Sequence, residues 1–175
     1  MILLEDSRQK VGKHDIKHRW FEKNGIEIVR SKLVVGDYTL PTNQSICIDT
    51  KQNIAELASD VTQQHARFRE ECIRAQKLGI KLIILVESRY ERVSGNIYNP
   101  AITKLEELYK WKNPQAFIFF NGKQKYPRAR RGVEIMKACM TMRSRYGVEF
   151  LFTTPEKSAE KIVELLTGEE NGKST

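Results

Sequence analysis

The stretch VVGDYTLPTNQSICIDTK, residues Val34 to Lys51, decides how this chain is read. It starts as an apolar strand ending at Gly36-Asp37, turns through Pro41 to Ser45, and returns as a second strand from Ile46 to Lys51. Side chains on a strand alternate with a period of two, so Ile46 and Ile48 face one way while Asp49 and Lys51 share the opposite face. A hairpin-like return brings Asp37 near Asp49, placing two carboxylates and one ammonium at a single spot. That set suits metal-dependent phosphodiester hydrolysis. Carboxylates are the hard oxygen ligands Mg²⁺ takes while leaving positions for water and phosphate. A lysine can hold the scissile phosphate or orient the attacking water. From spacing alone an alternative stays open: a surface hairpin with a solvated Asp/Lys pair.

Motifs on either side extend the pattern. The chain opens Ile2-Leu3-Leu4-Glu5-Asp6-Ser7-Arg8-Gln9, continues through a helix stopped near Gly25, and reaches Val35-Gly36-Asp37-Tyr38 and then Asp49-Thr50-Lys51. Arg67-Phe68 and the apolar run Leu82 to Val86, closed by Glu87, come next. This order over residues 1 to 90 resembles the nuclease domain of the XPF/Hef structure-specific endonucleases, within the restriction-endonuclease-like PD-(D/E)XK superfamily. That family has a D-x-R-E strand end, a G-D-Y strand end, an E-R-K strand end and an R-[LF] helix. Here Asp49 replaces the glutamate of E-R-K, Thr50 its arginine, and Gln9 the glutamate of D-x-R-E. The family's acid four positions past its lysine falls on Ala55, with Glu56 one further on.

The resemblance implies Lys51, Arg8, Asp37 and Asp49 as catalytic residues, and Asp37, Asp49 and Asp6 as ligands of Mg²⁺ or Mn²⁺. Glu56 and Arg67 are additional candidates. It further implies a Mg/Mn-dependent endodeoxyribonuclease acting on branched or flapped DNA in repair or recombination, a homodimer, and a short stand-alone phage or bacterial form. The helix-hairpin-helix DNA-binding module that usually follows is not expected in these 175 residues. Alternatives remain: Asp6 as a loop cap, Arg8 as an ion-pair partner of Glu5 or Asp37, a catalytically silent DNA-binding or scaffolding homologue, or an RNA-binding protein or RNase.

Composition points the same way. The net charge is +8, and residues 121–145 hold eight basic residues against one acid, Glu134. Such an excess is the footprint of a phosphate-backbone binder. Lys123, Lys125, Arg128, Arg130 and Arg131 are the nucleic-acid-binding candidates, followed by Lys137, Arg143 and Arg145. One tyrosine there, Tyr126, does not make a stacking platform. Cys47, Cys72 and Cys139 are odd in number and widely spaced, so they read as buried thiols and not as a zinc site or disulfide frame. No run suits a membrane span, and no signal sequence is expected, so the chain reads as cytoplasmic.

The remaining periodicities predict a three-layer α/β/α fold with a mixed, largely parallel central sheet. Residues 1–168 form one domain and 169–175 a polar tail. Strands are predicted at 2–5, 26–30, 33–38, 45–51, 80–87, 116–120 and 148–153. Helices are predicted from His14 to Asn24, over the stripe Ile54-Leu57-Val61-His65-Phe68-Cys72-Ala75, from Pro100 with Ile102, Leu105, Leu108 and Tyr109 inward, from Val133 to Arg145, and after a Thr154 cap. The polar run Ser59 to Gln64 can interrupt the second of these, and the site is expected at one edge of the sheet.

Overall fold

Leu82, Ile84 and Val86 pack on one side of the strand that carries them, while Ile83 and Leu85 pack on the other. A strand apolar on both faces must lie inside a sheet covered on both sides. In the computed structural model, which describes residues 1–9, 12 and 15–168, that is its position. The chain runs β1 (Ile2–Asp6), α1 (Asp15–Lys23), β2 (Glu27–Ser31), β3 (Tyr38–Leu40), β4 (Asn43–Lys51), α2 (Ile54–Thr62), α3 (His65–Lys77) and β5 (Lys81–Glu87). Two hairpins follow, β6–β7 (Glu91–Ser94 and Ile97–Asn99) and β8–β9 (Phe119–Phe120 and Lys123–Gln124), with 3₁₀ helices Leu105–Lys110 and Pro114–Phe117 between them. The chain then completes the domain with α4 (Gly132–Tyr146), β10 (Glu149–Thr153), a 3₁₀ turn Pro155–Lys157 and α5 (Ser158–Thr167). His14 and the tail 169–175 lie outside the described residues.

Six strands form the sheet in the order β10-β5-β4-β3-β1-β2. β3 alone runs antiparallel to its neighbours β1 and β4, and the other pairings are parallel. Helices α2, α3 and α4 and the 105–111 segment pack one face; α1 and α5 pack the other. The three-layer, largely parallel architecture is therefore the one the periodicities predict. All three cysteines are free and buried. Among the described residues, no helix is long and apolar enough to cross a membrane.

The departures have local causes. The 54–79 stripe is two helices, broken at Gln63-Gln64, and His65 opens the second one exposed to solvent, away from the core. Residues 33–37 are not a strand: Gly36 turns with φ +72, and strand pairing begins only at Tyr38. The Pro100 helix is a 3₁₀ helix from Leu105. Its three-residue turn keeps Leu105 and Leu108 buried but swings Tyr109 out to 58 % exposure. Residues 116–120 are not a buried strand either. Pro114, capped by Asn113, starts a 3₁₀ helix, and Phe119-Phe120 then form half of an exposed hairpin. Thr154 makes no side-chain cap, because the 3₁₀ turn precedes α5.

Gly36 has a close-approach requirement besides its backbone one. A Cβ there would stand 3.0 Å from the Ile48 carbonyl oxygen and 3.2 Å from Cys47 Cβ. Gly36→Ala is expected to cost about 1–3 kcal/mol of stability. At about 2–4 °C per kcal/mol for a chain of this size, a thermal melt should resolve it.

Candidate active site

The pleat of β4 carries buried apolar side chains into buried charge. Ile46 and Ile48 face the α1/α5 layer, Cys47 faces the α2/α3 layer, and Asp49 and Lys51 continue on the side of Cys47. Asp49 is 6 % and Lys51 8 % exposed. Charge this deep needs partners. Lys51 Nζ has two: Asp49 Oδ2 at 2.7 Å and Asp60 Oδ2, on α2, at 2.6 Å. Its ammonium also sits 5.5 Å from the centre of the Phe68 ring. Burial alone would lower the Lys51 pKa, but the two aspartates outweigh it and hold it above its ordinary value.

Asp37 is pinned between two strands. Its N–H donates to the Ile48 carbonyl at 2.7 Å, and its own carbonyl accepts from the Asp6 N–H at 2.8 Å. The Thr50 N–H and hydroxyl donate to Asp37 Oδ2 at 2.8 and 2.6 Å, and Gln9 Nε2 donates to Oδ1. Thr50 and Gln9, two departures from the family pattern, thus act together as donors to one carboxylate. Burial nonetheless pushes the Asp37 carboxyl up from its ordinary value.

The Asp49 carboxyl is raised as well. Burial first, then Asp37 and Asp60, push its carboxyl up to about 7 despite Lys51. Asp49 Oδ2 has the Lys51 ammonium, at 2.7 Å, as its partner. Glu71 on α3 accepts the Gly36 N–H at 2.9 Å, and burial together with Asp49 raises its pKa too.

The other candidates fall around this group. Asp6 takes Arg8 Nε at 2.8 Å on Oδ2 and accepts the Arg8 N–H at 3.2 Å on Oδ1, so it caps the loop and orients the guanidinium. Arg8 also donates to the Leu33 carbonyl at 2.9 Å. Its carboxylate partner is Asp6, whereas Glu5 meets Tyr38, His18 and Arg30. Glu56 accepts the Gln52 N–H and, with Asn53, organises the first turn of α2. Arg67 reaches Gln64 at 3.5 Å. Asp6, Arg8, Glu56 and Arg67, with Asp37, Asp49 and Lys51, line one cavity of about 560 Å³, open at the C-terminal ends of β1 and β4. Those strands are interior, so the site lies across strand ends and not along a lateral edge of the sheet.

Asp60 and Glu71 are not singled out by the sequence motifs. The available signal was their position: each lies three residues past a buried helix position (Leu57, Phe68) and one before the next (Val61, Cys72). Such positions flank the buried stripe and can aim at a strand end.

Among the described residues, no three His, Cys, Asp or Glu side chains converge into a ready metal cage. Mg²⁺ does not need one, since it commonly keeps several waters and takes one or two carboxylates. The pair Asp37 and Asp49 fits that requirement by its donor chemistry, two buried carboxylates lining one cavity.

A second cavity, about 510 Å³, adjoins the first. It runs between α2 and residues 125–130, and Ser59 lines both. The basic segment is therefore next to the carboxylates. Arg130 and Arg131 are engaged by Glu134 at 3.2 and 3.6 Å. Lys123, Lys125 and Arg128 are exposed and make no ion pair among the described residues.

These features define an α/β/α domain with a buried acidic site beside a basic surface. Residues 5–166 match the ERCC4 domain, and the chain belongs to this family. Its fold is similar to that of XPF from Aeropyrum pernix in complex with DNA, at 20% identity and a TM-score of 0.58, covering 95% of this chain and 63% of that one. It is also similar to XPF from the same organism in a second structure, at 17% identity and a TM-score of 0.58, covering 95% and 65%. The chain thus spans less than two thirds of either of these. No curated protein matches it.

The raised Asp49 pKa sets a stability–pH relation. The folded state holds a proton on Asp49 up to about 7, whereas the unfolded chain releases it near 3.8. Folded protein thus binds more protons through that window, and stability falls as pH rises across it. Asp49→Asn is expected to melt about 3–6 °C above wild type at pH 8 in EDTA, equivalent to about 1–2 kcal/mol. The gain should shrink toward pH 4. A constant difference across that range would show that Asp49 is ionised throughout.

Proposed function

We propose that this chain is a Mg²⁺- or Mn²⁺-dependent DNA endonuclease that hydrolyses phosphodiester bonds in branched or flapped duplexes, in repair or recombination. The observation that supports it most is the convergence of two buried carboxyls, Asp37 and Asp49, with Lys51 in one cavity. Asp37 and Asp49 are the residues that would hold the metal. A bound divalent ion polarises a phosphoryl oxygen and acidifies a water at neutral pH. Lys51 meets the scissile phosphate or orients the attacking water, and Asp60 retains its ammonium when Asp49 engages a cation. Arg8, held by Asp6 with half of its side chain exposed, faces the developing phosphorane charge. In this reading Asp6 positions Arg8 and Glu56 organises α2, while Arg67 contributes charge at the cavity rim. Lys123, Lys125 and Arg128 take backbone phosphates.

One observation favours a second reading, a catalytically silent DNA-binding homologue. Asp37 already accepts three hydrogen bonds, and a carboxylate has about four acceptor positions. Metal separates the two readings. Under the nuclease reading, Mn²⁺ raises the melting temperature of wild type but not of Asp49→Asn. Wild type then nicks labelled flap or fork DNA in preference to plain duplex, and the variant nicks neither. Tight DNA binding with no Mn²⁺ shift and no cleavage would establish the silent homologue.

Two further outcomes test the assignments. Lys51→Ala should abolish cleavage and keep the Mn²⁺ shift; normal turnover would remove Lys51 from the mechanism. Duplex affinity should fall with salt at a slope of about −4 to −5, and replacing Lys123, Lys125 and Arg128 by alanine should flatten that slope by about 3. An unchanged slope would place the binding face elsewhere.

A further inference from the structure

Phe119 and Phe120 are 63 % and 70 % exposed, adjacent in sequence, and set at the tip of a hairpin. Folding gains nothing from leaving two phenyl rings in water. The hairpin is nevertheless well built. Asn121 and Gly122 turn it with φ +48 and +72, the left-handed pair of a type I′ turn. Phe119 pairs with Gln124 and Phe120 with Lys123. The Lys125 N–H donates to the Ile118 carbonyl at 2.8 Å, and Gln124 Nε2 donates to the Ala116 carbonyl at 2.8 Å. Asn113 ties the start of the segment to its end by donating to the Arg130 carbonyl at 3.0 Å. A firm base therefore presents exposed rings.

The pleat decides what can cover them. Neighbouring residues of a strand point to opposite faces. Phe119 and Phe120 thus project from both sides of the ribbon, where a protein surface docking on one face would cover only one. Phe120 shares its face with its cross-strand partner Lys123, and Ile118 shares it with Lys125. On that face Phe120 therefore stands opposite a lysine, and the Lys125 ammonium lies 5.4 Å from the centre of the Tyr126 ring. Aromatic faces next to ammonium groups match unpaired nucleotides, whose bases stack while their phosphates pair with cations. The hairpin leads into residues 125–130, which line the cavity adjoining the carboxylate site.

We propose that the β8–β9 hairpin is a wedge whose Phe119 and Phe120 rings stack on unpaired bases at the branch of a bound DNA. This rests on the DNA-binding reading above and adds to it the part that selects branched over continuous duplex.

The test measures affinities for a flap and for a plain duplex of equal length in EDTA, where nothing is cut. The proteins are wild type, a Phe119→Ala/Phe120→Ala double variant, a Phe119→Tyr/Phe120→Tyr double variant, and the Lys123/Lys125/Arg128 alanine variant. The double alanine variant should lose about tenfold or more on the flap and less than twofold on the duplex. The tyrosine variant should restore flap binding. 2-Aminopurine placed in the flap next to the branch should change its fluorescence with wild type and not with the double alanine variant. Equal flap affinity of wild type and double alanine variant would overturn the wedge while leaving DNA binding intact. A wild-type dimer that the double alanine variant dissolves in sedimentation would also overturn it, assigning the rings to a protein contact. If wild type and the basic-residue variant both fail to bind either DNA, the DNA-binding reading falls together with the wedge.

Discussion

The clamp of Asp49 and Asp60 on Lys51 is the interaction around which this domain is arranged. β4 lies between β3 and β5 and is covered on both faces, so the side chains at its end are buried whatever their chemistry. An ammonium left there without either carboxylate would be strongly destabilising. Asp49 provides one partner from the strand itself, two residues away on the same face. Asp60 provides the other only if α2 lies directly above the strand end. That requirement explains the short, capped helix: Asn53 accepts the Glu56 N–H, and the break at Gln63-Gln64 lets α3 re-aim so that Glu71 and Phe68 reach the same spot.

What the sequence discloses follows from which regularities are local. A period of two reveals β4 and β5 and places Asp49 and Lys51 on one face, because pleating is a property of the strand alone. A stripe of threes and fours reveals α2 and α3 with their core residues. The segments misread are those lacking such a regularity. Residues 33–37 look like a strand because Leu33, Val34 and Val35 are apolar, but Gly36 turns the chain and a long-range bond to Glu71 holds it. Residues 116–120 have the composition of a buried strand, and only the tertiary structure shows that no place in the sheet is open to them. Asp60 and Glu71 belong to the site through the crossing of helices over a strand end, which no spacing along the chain encodes.

The region between β5 and α4 adds a second surface to the domain. Its anchors to the core are Ile102, Leu105, Leu108 and Trp111, all buried against the α4 side. Beyond Trp111 its side chains are largely exposed, and the positive charge of the chain collects there and on the solvent side of α4. The division is physical: an apolar root fixes the position of a polar, cationic and partly aromatic outer part. Because that root packs on the layer containing α2, which also supplies Asp60, the carboxylates and the basic surface are set at a fixed distance by shared packing rather than by a linker.

Gln9 and Thr50 bear on how an acidic site this buried can exist at all. Replacing a glutamate and an arginine looks, by charge alone, like the decay of a catalytic centre. In the fold, however, the two replacements converge on Asp37, and neutral donors satisfy its carboxylate without bringing another charge out of water. Buried carboxylates close to one another repel, and each added acid raises the cost of ionising the next. Removing the glutamate at position 9 relieves part of that repulsion, and Thr50 replaces a guanidinium with an N–H and a hydroxyl at hydrogen-bonding distance. The remaining excess is shared by Asp37 and Asp49, both of which burial holds above their ordinary values. A divalent cation would relieve that excess most directly. The two substitutions are therefore compatible with a working metal site, because they give Asp37 neutral donors while both carboxyls stay above their ordinary values, a demand that a cation would relieve.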